Sequence, residues 1–323
     1  LKSELLIQNS GNEIFEISKS AEKVEYTTSR TGSPGKLSFS LLETPGLKFE
    51  EGNTVRFSLN GAAVFFGYIF VRTKNRWGQI SVVAYDQTRY LKANESYIFT
   101  GMNAGQIIQH IANQFNLKCG VLENTGYVIP SLIRENKSCL DIISYVVELT
   151  TRNTGKIFIF YDDAGFLSLR QAANLMTDVV IGTKSLLTDY DYKSEIDSDT
   201  HNQIKLVRPN QDTGRADTYI FKDSATIDKW GLLQRYETVH ESMNPAQIAE
   251  QAKTMLVYYN RALQTLTIQS LGVPGLRAGS MVMLNIPELN DISPSQYFLL
   301  DKVTHTFISG VHTMNMQTRV ISA

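Results

Sequence analysis

A short pattern occurs twice along this chain, and that repetition constrains its fold more than any other feature. Leu37-Ser38-Phe39-Ser40, Pro45-Gly46-Leu47-Lys48, Gly52 and Val55-Arg56-Phe57 return as Leu266-Thr267-Ile268-Gln269, Pro274-Gly275-Leu276-Arg277, Gly279 and Val282-Met283-Leu284. Both copies order a strand, a Pro-Gly turn, a basic residue, a glycine and a second strand. Pro presets φ for a turn and Gly supplies the positive φ that a turn needs. In each copy Val stands three positions after the Gly and opens an apolar strand, Val55 to Leu59 and Val282 to Ile286. The first copy carries two extra residues before its Gly. Copies so far apart are not solenoid repeats. The pattern predicts two copies of one domain with other segments between them.

Composition narrows the class. A chain of 323 residues has room for about two or three domains with their own cores. Its 42% apolar and 20% charged residues exclude wholesale disorder. Lys+Arg number 31 against 32 Asp+Glu, so no basic excess points to nucleic acid as a sequence-specific partner. The longest apolar run, Val64 to Val71, is too short for a helical span, so no direct membrane insertion is expected. The first residues, Leu1 to Ile7, lack the apolar core and cleavage site of a signal peptide. Cys119 and Cys139 are the only cysteines, which predicts two buried thiols in a reducing cytoplasm rather than a disulfide framework.

From Glu13 to Leu91 short alternating runs separated by Gly, Pro and Asn read as strands. Asn60-Gly61 marks a hairpin, since a type I′ turn wants φ > 0 at both positions. The strand Val64 to Val71 is apolar on both faces and must be covered twice, by a barrel core and by something outside it. Its interface candidates are Val64, Phe66, Tyr68 and Phe70, and the counterpart run in the second copy, Tyr297-Phe298-Leu299-Leu300, adds Phe298 and Leu299. These six form the expected oligomer interface. Asn103 opens a helix carrying Ile107, Ile108, Ile111 and Phe115, and a second helix runs from Ser138 to a stop near Asn153 and Gly155. A hairpin follows, Lys156 to Tyr161 and Phe166 to Arg170, turning at Asp162-Asp163-Ala164-Gly165. Strands resume at Gln203 to Val207 and Asp217 to Phe221, and a further helix runs from Pro245 to about Tyr259. The resulting fold class is mainly β with an α+β insert: a first β-barrel domain at 1–95, the insert at 96–185 and a second β-barrel domain at 186–323, the barrels free to exchange segments.

The search for chemistry finds no catalytic, cofactor-binding or metal-ligating set. His110, His201, His240, His305 and His312 occupy separate elements without metal-ligand spacing. His305 and His312 flank one turn, where solvent-facing histidines are the ordinary outcome. Asp189-Tyr190-Asp191 and Asp197-Ser198-Asp199 lack the Gly and terminal Glu of a calcium loop and read as solvated acidic loops. Glu123, Asp162 and Asp163 are the carboxylates a glycan-cleaving insert would have to use.

Gly52-Asn53-Thr54-Val55, Phe66-Gly67-Tyr68-Ile69 and Ile80 to Leu91 resemble the baseplate hub proteins of contractile phage tails, especially the hubs of PBSX-like tails. The similarity continues through Met102 to Ile108 and Asn124 to Pro130 and covers most of the chain. The resemblance implies two tail-tube-like barrels per chain and a homotrimer whose six barrels match a hexameric tail tube protein on one side and a trimeric spike protein on the other. It also implies baseplate wedge and tape-measure contacts, no cofactor, no bond chemistry, assembly in the bacterial cytoplasm and a place in the tail of a virion or a phage-tail-like bacteriocin. A different reading is a tail-associated protein that binds or cleaves peptidoglycan through residues 96–185; the helix from Asn103 to Phe115 faintly resembles wall-binding repeats.

Overall fold

In the computed structural model the described residues are 2–210, 215–239, 241–289 and 296–320. His240 lies outside them. The chain divides into two compact units, one made of Leu1–Asp191 with Thr267–Arg319 and one built on Tyr192–Leu266.

The first unit begins with seven strands: β1 (Ser3–Gln8), β2 (Ile14–Glu16), β3 (Ala21–Ser29), β4 (Lys36–Leu42), β5 (Thr54–Leu59), β6 (Ala62–Lys74) and β7 (Gln79–Tyr85). Their inward residues alternate with outward ones and close a core around Leu5, Ile7, Leu37, Leu41, Val55 and Phe57. The β5–β6 turn holds Asn60 at φ 50° and Gly61 at φ 83°, the type I′ geometry the Asn-Gly pair predicts. A 3-10 turn, Gln87–Lys92, leads into β8 (Asn94–Asn103), α1 (Ala104–Gln114), β9 (Cys119–Leu122), β10 (Val128–Ser138), α2 (Cys139–Thr154), β11 (Phe158–Asp162) and β12 (Leu167–Gln171). Asn103 and Gln106 form a capping box on α1, and Gly155 ends α2 in the left-handed region. Both helices bury one face in a separate core that runs from Leu91 to Leu169. This core lies within the stretch expected to be the α+β insert and, in the contact division, belongs to the first unit. Cys139 is buried in it and Cys119 is half-buried; both thiols are free.

Two more strands follow, β13 (Met176–Gly182) and β14 (Leu187–Glu195). The second unit contains β15 (Gln203–Asn210), β16 (Arg215–Lys222), α3 (Ser224–Trp230), β17 (Gln234–Thr238) and α4 (Pro245–Tyr259), with strand order β16-β15-β17. Its core is Ile204, Leu206, Val239, Ile248 and Ala252. The expected partition assigned these residues to the second barrel domain, whereas they have their own sheet, helix and core. The short α3, capped by Asp223, follows a strand without a periodic apolar face and escapes sequence reading.

The chain ends in β18 (Leu263–Leu271), β19 (Met281–Asn285), β20 (Gln296–Ile308) and β21 (Val311–Val320). Here the duplication becomes visible in three dimensions. The first half orders its strands β3-β4-β7-β6-β5-β1 and the second β14-β18-β21-β20-β19-β13. Val55 pairs with Gly67 as Val282 pairs with Phe298. Gly52 N donates to Ile69 O (2.8 Å) and Ile69 N to Asn53 O (2.9 Å); Gly279 N donates to Leu300 O (2.8 Å) and Leu300 N to Ser280 O (3.0 Å). Even the β-bulge recurs, between Ile69 and Val71 against β7 and between Leu300 and Lys302 against β21. One detail of the sequence match changes. The turn bonds Asn53 N→Glu50 O and Ser280 N→Arg277 O align Arg277 with Glu50, not with Lys48. The two extra residues of the first copy displace its basic residue. The halves also differ at one edge, where β1 joins β5 antiparallel and β13 joins β19 parallel.

The two expected barrels are not seen as separate closed bodies. β20 bends at its bulge and pairs over 302–308 with both β21 and β3, so strands of both halves run on in one 13-stranded sheet, and none of the sheets closes into a barrel. A bulge that redirects a strand exposes its second edge to a new neighbour, and β3 takes that edge.

Candidate assembly surface and a buried polar junction

The pleat of β6 sends Phe65, Gly67 and Ile69 inward and leaves Val64, Phe66, Tyr68 and Phe70 half-buried. Phe66, Tyr68 and Phe70 form an aromatic ladder on the outer face. Phe66 meets Tyr68 at 5.7 Å, and Tyr90 packs at 5.5 Å from Tyr68 and 5.7 Å from Phe70. Arg89 lies over Phe70 and Arg56 over Phe66. The second cover that an apolar strand requires thus comes partly from the chain itself, through the 3-10 turn and through the β11–β12 turn. There Gly165, at φ 103°, leaves no room for a side chain beside the Phe66 ring. Val64 lies against the core of the first half.

In the second half, strand pairing places Phe298 where the first half has Gly67 and Leu299 where it has Tyr68. Phe298 is accordingly 4% exposed and points inward. Leu299 faces the other way, against Ile159, Tyr161 and Ala172. The six expected interface residues therefore fall on two faces. Tyr297, the first residue of the counterpart run Tyr297 to Leu300, is exposed and equivalent to Phe66, an outward position that the apolar pattern alone does not assign.

Beside this surface the structure gathers a set of polar groups from distant parts of the sequence. Asp86, closing β7, accepts from Gly35 N (2.8 Å) on one oxygen and from Thr88 N (3.0 Å) and the Thr88 hydroxyl on the other. Asp162, closing β11, accepts from Gly165 N (2.7 Å), while its second oxygen is buried without a protein partner. Burial lifts both carboxyls above the usual range; the charge of Asp162 adds to the rise of Asp86, taking it to about 7, and the charge of Asp163 adds to that of Asp162. Arg277 donates to the Asp162 carbonyl (3.0 Å) and stacks 3.7 Å from the centre of the Tyr161 ring. Next to it, Ala278 N donates to Thr28 Oγ1 (2.9 Å). The first half, the insert and the second half are thus joined through one turn of the second repeat. An Asp-Asp-Ala-Gly turn and an Asp before a 3-10 turn are legible as local motifs, but their convergence is not.

His305 and His312, expected to face solvent, instead face each other at 2.9 Å, with His305 3% exposed. Leu276 O can only accept, so His305 Nε2 carries the proton at 2.7 Å, and His305 Nδ1 accepts from His312 Nε2. His312 Nδ1 is then a buried acceptor without a partner. Burial drives both imidazoles down to about 4. Gly272 makes the space, since a Cβ there would lie 2.0 Å from the His312 ring.

Of the carboxylates a glycan-cleaving insert would have to use, Asp162 belongs to this buried junction and Glu123 is held in a network of its own. Glu123 is tied to Gln171 N, Arg170 and Asn174, and these bonds outweigh burial and hold its carboxyl below the usual range. Asp189 and Asp191 lie in strand β14 rather than in a loop. Among the described residues no group of three His, Cys, Asp or Glu side chains is placed to hold a metal ion, and no helix is long and apolar enough to cross a membrane.

Comparison with known proteins places this architecture. The Bacillus subtilis (strain 168) protein YqbQ is 31% identical over 303 residues, covering 91% of this chain and 90% of YqbQ. The phage-like element PBSX protein XkdQ of the same organism is 31% identical over 304 residues, covering 92% and 91%. The crystal structure of the 43 kDa tail protein of prophage MuSo2 from Shewanella oneidensis has the same fold, with a TM-score of 0.72 over 98% of both chains at 11% identity. The YQBQ-like family pattern matches residues 24–319, and the chain belongs to that family.

Proposed function

We propose that this chain is a structural baseplate hub of a contractile phage tail or phage-tail-like bacteriocin. In this reading three copies, each with two tube-like repeats, form a pseudo-sixfold ring between a hexameric tail tube and a trimeric spike and line the central channel. The observation that carries it is the duplicated strand order, down to the shared bulge: a chain built twice on one pattern can satisfy threefold and sixfold neighbours together. The names of the relatives, a PBSX element protein and a prophage tail protein, agree with this role. The outward residues Val64, Phe66, Tyr68, Phe70 and Leu299 contribute to contacts between copies or with the wedge proteins, and Phe298 supports them from within. The hub acts mechanically, without bond chemistry. Its test is the solution mass by light scattering, alone and coexpressed with the spike protein. A trimer in either preparation supports the hub; a monomer in both overturns it.

A further inference from the structure

The β11–β12 hairpin lies on the outer faces of both repeats. Its turn sits on Phe66, where a Cβ on Gly165 would come within 2.9 Å of the ring. Its first strand packs Ile159 and Tyr161, together with Ala172, against Met281 and Leu299. Gly279 admits this approach, since a Cβ there would lie 2.5 Å from Ile159. Such apolar contact does not depend on pH. The polar part of the same junction does. Asp162 on the hairpin and Asp86 on the first repeat are both buried, and the charge of Asp162 works against the ionised form of Asp86. Around them stand Asp163 at the hairpin turn, Arg277 on the second repeat and Tyr26 on β3, which stacks on His305 at 6.1 Å between ring centres. Burial keeps the Tyr26 proton in place, so one arginine faces three carboxyls. Buried carboxyls that feel each other's charge do not both ionise without cost.

We infer that the hairpin is a proton-held cap: a proton kept by the Asp86–Asp162 pair seats it on the outer faces, and loss of that proton favours a lifted state that bares Phe66, Met281 and Leu299. The contact is internal to one chain, so the inference stands apart from the ring reading above. The chain enters and leaves the capping segment through the 3-10 turns Gln87–Lys92 and Ala172–Leu175, short segments of the kind that absorb such movements. Gly35 N and the Thr88 amide and hydroxyl, the donors to Asp86, lie on its own side of the contact and do not tie the hairpin down. The direction follows from proton binding. Seated, Asp86 keeps its proton up to about 7; lifted into water, it releases it near the ordinary 3.8. Seating is therefore strongest in acid, weakens by about tenfold per pH unit at most between those values, and changes no further above them.

The test uses the full chain with Cys119→Ser and Ala172→Cys, which puts one thiol in the contact and leaves Cys139, buried in its own core beneath α2, as the internal control. Labelling by a pyridyl disulfide is followed by mass spectrometry from pH 4 to pH 8, and each rate is divided by that of the urea-unfolded chain at the same pH. The ratio at position 172 should rise about 100-fold or more between pH 4 and pH 7 and then level off, while that of Cys139 stays low and flat. Asp86→Asn, alone or with Asp162→Asn, should remove most of the rise. Asp162→Asn by itself, which keeps an acceptor for Gly165 N, should move the levelling point below 7. A ratio at position 172 that is constant with pH in the parent overturns the cap, as does a rise undiminished in Asp86→Asn. A rise matched by Cys139 overturns it too, since the core beneath α2 would then be unfolding with the contact.

Discussion

Removing the titratable proton of Asp86 should change how stability depends on pH, by an amount set by its surroundings. Asp86 is 5% exposed, and its carboxyl rises from 3.8 to about 7 because burial disfavours the charge and Asp162 stands nearby. Each pH unit between those two values is worth about 1.36 kcal/mol, so the folded state loses up to ~4 kcal/mol as that proton leaves. The sign follows from proton binding. Below pH 3.8 both folded and unfolded chains hold the proton; between there and about 7 the unfolded chain releases it while the folded one keeps it. Stability from this group is therefore full in acid and lost as pH rises through 7. Asp86→Asn has no such proton to lose, although it gives up one of the acceptors used by Gly35 N and Thr88 N. Urea unfolding at a series of pH values should show Asp86→Asn weaker than the parent near pH 4, with the gap narrowing or reversing by pH 8. Carbon-13 NMR of the aspartate carboxyls reads the same proton directly, and Asp162→Asn should lower the Asp86 midpoint by removing the neighbouring charge. A parent midpoint below 5, or a stability gap independent of pH, would refute the reasoning.

The histidine pair acts in the opposite direction. With folded values of about 4 against 6.5, its contribution is present above pH 6.5 and lost as pH falls through 4, so His312→Phe should flatten the acid side of the same urea series. Gly279→Ala places a Cβ 2.5 Å from Ile159 at φ 91°, whereas Gly46→Ala has the same φ and open space. Thermal melts should show the second costing ~1–3 kcal/mol from backbone strain alone and the first clearly more. Phe66→Asp and Leu299→Asp should lower the oligomer mass seen by light scattering while circular dichroism stays native; unchanged mass with a native spectrum counts against the outer faces of β6 and β20 as contacts. A zymogram on cell-wall substrate should stay dark, and clear lysis would move the function to the insert.

The local elements were legible because short-range physics writes them. Asn103 and Gln106 cap α1, Asn244 and Gln247 cap α4, Gly155 stops α2 and Asn60-Gly61 turns a hairpin, each through bonds within a few residues. The duplication was legible for the same reason, since Gly52 and Gly279 need the same positive φ and Val55 and Val282 the same inward position. Its exact frame was not, because the two inserted residues shift the basic side chain and only the turn's hydrogen bonds show that Arg277 matches Glu50. Periodicity likewise marked Phe298 and Leu299 as apolar without saying which faces inward. That depends on register against β19, a contact between strands. The meeting of Asp86, Asp162 and Arg277, the facing histidines and the single sheet shared by both halves all join residues far apart in sequence. Sequence determined the strands, helices, turns and the repeat; only the tertiary structure decided which edges meet and which charges are buried together, because those outcomes depend on long-range pairing that no local pattern encodes.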